Sequence, residues 1–271
     1  MTLDARRVFF WHIVVIACLA AAHLIVTIVL RDNPVLGHDK VQALFDLDSE
    51  AGPGAFFSSL ALLACAGMTA LISRDAADPP IRRFWTLCAF LAAYLSLDEA
   101  IGIHEKFSVI AHLVTSGRGI FTIGWWVIYP FVLAPFLAIG LPGLFRLDPA
   151  TRHRLVLAGL VFVSGAVGFE IVESLSRDAF VTIFHLRHGN EIDWSAYGAA
   201  LSTHGASFQR EQHGLVLFEE TLEMTGVALA LRALLIHAAA LGSAMAVRVI
   251  TSETIAQTVV SADRPSPSQQ T

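Results

Sequence analysis

The chain has 271 residues, 55% of them hydrophobic and 15% charged, with a mean hydropathy of +0.63 and a formal net charge of −5. A soluble domain carries about 25% charged residues, so this composition belongs to a membrane protein, and the acidic balance without any basic cluster excludes nucleic acid as a partner. Three cysteines (Cys18, Cys65 and Cys88), all within apolar runs, exclude a disulfide framework and a Cys/His metal knuckle.

A helix that crosses hydrocarbon needs about 20 predominantly apolar residues. Runs of that kind fall near 8–30, 55–73, 84–105, 120–141, 154–175 and 213–247. They predict an all-α polytopic membrane helix bundle with about six transmembrane helices, in a single domain over 1–250. The first run follows Arg6 and Arg7 and is longer than the apolar core of a cleaved signal peptide, so it reads as a span.

Between the first two runs, VQALFDLDSEAGPGAFFSSL brings Asp46, Asp48 and Glu50, then Ser58 and Ser59 at the start of the second. The glycine and closing glutamate of a calcium loop are missing, so the segment reads as a polar lid or a supplement to a site. In the fourth run Trp125, Trp126 and Tyr129 read as an interfacial aromatic belt, and Pro130 and Pro135 as kinks. The connection 176–212 is long for a loop and is expected to be functional or a lid, with AFVTIFHL a short interfacial helix. Residues 251–271, polar and rich in Ser, Thr and Pro, read as a disordered tail.

Orientation follows from Lys and Arg. Ten arginines lie on the side of the N-terminus, against seven Lys/Arg residues spread over longer loops on the other side. Both termini are therefore expected in the cytoplasm, the protein being a multipass protein of the inner membrane. Of the 23 acids, seventeen fall on the outer side, together with most of the histidines, including His185, His188, His204 and His213.

Several of those acids lie within the apolar runs. The third ends in LSLDEAIGIHE, with Asp98, Glu99, His104 and Glu105; the fifth carries GFEIVES, with Glu170 and Glu173; the sixth carries FEETLEM, with Glu219, Glu220 and Glu223. Given the direction of each run and a rise of about 1.5 Å per residue, the three sets come to one depth. Asp98 and Glu105 are seven apart, Glu170 and Glu173 three, and Glu219 and Glu223 four, so each helix presents a carboxylate stripe. A stripe facing lipid costs about 3 kcal/mol per charge, so the stripes should face the bundle interior, where bare anions repel and want a cation.

The expected metal ligands are Asp98, Glu99, His104, Glu170, Glu173, Glu219 and Glu223, with His23 as an alternative, and Glu220 and Glu105 are the spare carboxylates suited to general-base work. A donor set of oxygens with imidazole suits iron, zinc, manganese or calcium. Di-iron carboxylate bundles use Glu-x-x-His pairs; the nearest spacing here, Glu99 to His104, is five, and departs from that pattern.

The blocks FDLDSE…FFSSL, LSLDE…HE, GFE and EETLEM resemble those of a group of uncharacterised bacterial multipass membrane proteins. The resemblance implies that the blocks travel together and implies no activity. From the residues alone, three functions stand: a metal-dependent enzyme acting on a membrane lipid or other amphipathic substrate, a cation- or proton-coupled transporter, and a non-catalytic sensor or assembly factor.

Overall fold

The computed structural model describes residues 2–29, 44–49, 52–103, 129–188, 191–241 and 248–250. Eight α-helices make up almost all of this: α1 (Ala5–Leu24), α2 (Pro53–Asp75), α3 (Pro79–Ile101), α4 (Tyr129–Arg146), α5 (Pro149–Val163), α6 (Glu170–Ile183), α7 (Trp194–His204) and α8 (Ala206–Ala240). A π-helical turn, Ile25–Val29, extends α1, and another, Ser164–Phe169, joins α5 to α6 into one rod, Pro149–Ile183. The architecture is an all-α polytopic bundle, in which five helical rods of the described residues are long and apolar enough to cross a membrane; α4 contributes a shorter apolar stretch, Leu133–Arg146.

Local chemistry sets the helix ends. Proline occupies the first turn of α2, α3 and α5, where its missing N–H costs nothing. Asp4 caps α1 through the Arg6 amide, and Asp193 caps α7 through the amides of Ser195 and Ala196. Helix α3 stops at Gly102, which adopts the left-handed conformation (φ 60°, ψ 53°) and returns its N–H to the Asp98 carbonyl. Asp98 and Glu99 are thus inside the helix, in its last turn, and Asp98 is buried.

Small residues bring the rods together, as packing in lipid requires. Helices α2 and α3 form a hairpin stapled at both ends. The Ser59 hydroxyl donates to the Ser96 carbonyl and that of Ser96 to the Ser59 carbonyl, each at 2.8 Å, and Ser73 meets Thr86 at 2.6 Å. Helix α8 lies at the centre, with Met224, Val227, Ala228, Leu231, Leu234 and Ala238 buried along it. Ala61, Leu62 and Cys65 of α2 pack against Val227, Leu231 and Leu234, and Ile16 of α1 against Met224 and Ala228. Phe10, Phe56, Phe90 and Leu160 stay exposed on the outside, where lipid would cover them. The short strand Thr2–Asp4 pairs in parallel with Arg248–Ile250, so both ends of the described chain meet at one end of the bundle.

Two expectations change. Most of the described part of the connection 176–212 is helical: AFVTIFHL is no separate interfacial helix but its first residues end the Pro149–Ile183 rod, the short strands Arg187–His188 and Glu191–Ile192 pair antiparallel, and α7 and the start of α8 follow. The physical reason is an aromatic cluster. Phe180 stacks on Phe208 at 4.4 Å and touches Phe184 and Tyr197, so the segment packs on itself. The last helix also begins earlier than the expected 213–247 and ends at Ala240. The aromatic belt at Trp125 and Trp126, the polar tail 251–271, and the 104–128 part of the third and fourth runs lie outside the described residues.

At the end of the bundle near the termini, Asp148 accepts from the Thr151 amide at 3.0 Å and lies 3.8 Å from His237. Hydrogen bonds from the Thr151 hydroxyl and amide hold its carboxyl below the ordinary aspartate range. A depressed carboxylate contributes stability above its unfolded pKa and loses it as pH falls through the folded value. Asp148→Ala is therefore expected to cost about 1 kcal/mol at neutral pH, as loss of a helix cap does. Thermal melts should also show the variant closing on wild type as pH is lowered below about 4.

Candidate functional site

The acids meet where the Pro149–Ile183 rod crosses α8, and two glycines permit the crossing. A Cβ on Gly165 would lie 2.7 Å from the Glu219 carbonyl oxygen and 3.0 Å from the Glu223 Cγ; one on Gly226 would lie 2.6 Å from the Phe162 backbone nitrogen. Gly165 belongs to the π-helical turn, which changes the winding just before Glu170. Such turns are rare and concentrate at functional sites.

This crossing brings together acids predicted from separate runs. Glu170, Glu173 and Glu219, all half-buried, each offer a carboxylate oxygen within 4.8 Å of the others. Around them Glu223 is within reach of the charges of Glu99, Glu219, Asp98 and Glu170, and Glu220 within reach of those of Glu223, Glu99 and Asp48. Described acids of the third, fifth and sixth runs therefore lie in one region of the bundle. Arg177 pairs with Glu173 one turn along the same helix, so one of the acids has a cation beside it. His104 and Glu105, the other expected ligand and base of the third run, lie outside the described residues.

A second group, whose members the sequence placed in a polar lid, in the first apolar run and on the outer side, is brought together at the end of α1. His23 is fully buried there, and His23, Asp46 and the half-buried His213 each offer a ligand atom within 4.8 Å of the others. The His23 Nε2 is 3.2 Å from the His213 carbonyl; its Nδ1 is 3.1 Å from the Leu47 amide and 3.4 Å from Asp46 Oδ1. Burial pushes the Asp46 carboxyl up, yet His23, the Asp48 amide and His213 together hold it below the ordinary range. His213 stands within α8 rather than in a loop, six residues before Glu219. The clue in the sequence was depth: His23 near the end of the first run and His213 near the start of the last.

The donor sets differ in chemistry. Three glutamate oxygens suit a hard cation such as manganese, magnesium or calcium; two imidazoles and a carboxylate suit a borderline one. A family model described as Domain of unknown function (DUF8692) matches residues 11–238, which include both groups. No curated protein and no solved structure matches the chain.

Proposed function

This chain belongs to the DUF8692 family, a domain of unknown function, and we propose that it is an integral-membrane metalloenzyme of the inner membrane that acts on a lipid or other amphipathic substrate. The observation that carries the reading is the approach of Glu170, Glu173 and Glu219 to within 4.8 Å inside helices long and apolar enough to span a bilayer. Carboxylates gathered at that depth are expensive unless they serve a cation or a reaction.

A divalent ion held there would supply Lewis acidity toward an oxygen of the substrate's polar group. Glu220, the carboxylate beside the triad and outside it, would act as general base by taking a proton from an attacking water, and Glu105 is the other candidate for that role. The spans keep the apolar part of the substrate in lipid while its polar end reaches the acids between α8, α3 and the Pro149–Ile183 rod.

The test is turnover in liposomes reconstituted with full-length, manganese-loaded protein. Phospholipid or a doped amphiphile is expected to be consumed, and Glu220→Gln, with its ion retained, should slow this by about 10²-fold or more. Cation-coupled transport is the second reading, favoured by the change of winding at Ser164–Phe169 within a span. Uptake of the ion into the lumen without turnover would overturn the enzymatic reading in its favour.

A further inference from the structure

We propose that His23, Asp46 and His213 form a second cation site, distinct from the carboxylate centre, that takes a borderline divalent ion such as zinc or cobalt. The elements that build it are the last turn of α1, the 44–49 segment and the first third of α8. Each contributes one ligand, and the three ligand atoms lie within 4.8 Å of one another.

The grouping of the three ligand atoms carries the argument, and hydrogen bonding at His23 fixes which of its nitrogens can take a cation. The His213 carbonyl can only accept, so the Nε2 that sits 3.2 Å from it must bear the proton. That tautomer leaves a lone pair on Nδ1. Nδ1 is 3.4 Å from Asp46 Oδ1, and the two atoms now accept from the backbone amides of Leu47 and Asp48, so a cation between them would take the place of those amide contacts. An imidazole whose other N–H is fixed to a backbone carbonyl is the arrangement by which metal-binding histidines are oriented.

A proton on Nδ1 would also bridge the gap, but it would leave the Leu47 N–H, 3.1 Å away, facing another donor. His213, its ring 5.8 Å from that of His23, brings the third ligand atom to the group. The size also fits: ligands about 2.1 Å from a tetrahedral ion are roughly 3.4 Å apart, which is the separation of Nδ1 and Oδ1 here. Two nitrogens and one oxygen favour zinc, cobalt or nickel over the hard ions suited to Glu170, Glu173 and Glu219.

The two sites are neighbours. Six residues along α8 separate His213 from Glu219, about 9 Å, and Asp48, two residues beyond Asp46, is within reach of the charges of Glu219 and Glu220. An ion on Nδ1 displaces the Leu47 amide, so loading this site shifts the segment that carries Asp48.

Titrating the full-length protein in detergent with Co(II), under excess Mn(II), tests the proposal by the visible absorption of cobalt bound to imidazole. Wild type should bind cobalt and release it to zinc. His213→Ala and Asp46→Asn, partly exposed positions that fold more safely than a change at buried His23, should each weaken binding about tenfold or more. Glu219→Ala should leave the cobalt spectrum in place, which separates this site from the carboxylate centre. Absence of the absorption in wild type, or equal affinity in both His213→Ala and Asp46→Asn, would overturn it.

Discussion

Gly226→Ala is expected to lower the melting temperature of the purified protein by roughly 10 °C, the shift that about 3 kcal/mol produces in a chain of this size. The added methyl would stand 2.6 Å from the Phe162 nitrogen and 2.7 Å from its Cα, and backbone atoms cannot swing aside as a side-chain tip can. One of the two rods must move. Since Gly226 is three residues beyond Glu223 and seven beyond Glu219, the movement also separates Glu219 from Glu170 and Glu173. Metal affinity should therefore fall together with stability. Gly159→Ala is the control: its Cβ would meet nothing within 4 Å, so neither stability nor affinity should fall. An unchanged melting temperature in Gly226→Ala would mean that the rods do not cross where described.

Much of the fold was legible because a bilayer leaves few choices. Run length alone indicates the spans, and the acids in LSLDE, GFE and EETLEM stood out because charge is rare in such runs. The convergence of Glu170, Glu173 and Glu219 was expected from depth and direction. Their closeness depends on Gly165 and Gly226, whose role appears only once the partner helix is known. The π-helical turn before Glu170 leaves no mark in an apolar sequence.

The error over 176–212 had a different origin. Its length between apolar runs made the stretch read as a functional loop or a lid, whereas Phe180, Val181, Leu186 and Phe208 form a small core of their own there. His23, Asp46 and His213 were each visible, as an alternative ligand, part of a polar lid and an outer-side histidine, but in separate parts of the chain. Only the packing of α1 against α8, which places Ile16 beside Met224 and His23 beside His213, brings them together.

The second large effect is expected at Glu219, the residue that links the acids of α8 to those of α6. It belongs to the close triad and lies within reach of the charge of Asp48 as well. Removing it reduces the close triad to Glu170 and Glu173, with Arg177 already beside Glu173. Two carboxylates on one helix, one of them paired with a guanidinium, make a poor cation site. Affinity should fall by at least about a hundredfold, since loss of even an outer partner of a ligand commonly costs ten- to a hundredfold. Glu99→Ala, which removes a neighbouring charge outside the triad, should weaken binding by roughly tenfold. Because an ion that binds only the folded chain stabilises it, by about 4 kcal/mol at a thousand times Kd, wild type should gain thermal stability from Mn(II) and Glu219→Ala should gain little.

The most direct measurement is elemental analysis of full-length, detergent-purified protein after manganese loading and desalting, run on wild type, Glu219→Ala and Glu99→Ala. Wild type should retain a stoichiometric ion, Glu99→Ala a reduced amount and Glu219→Ala almost none; a wild-type protein without bound metal, or equal metal in all three, would contradict a cation centre at Glu170, Glu173 and Glu219.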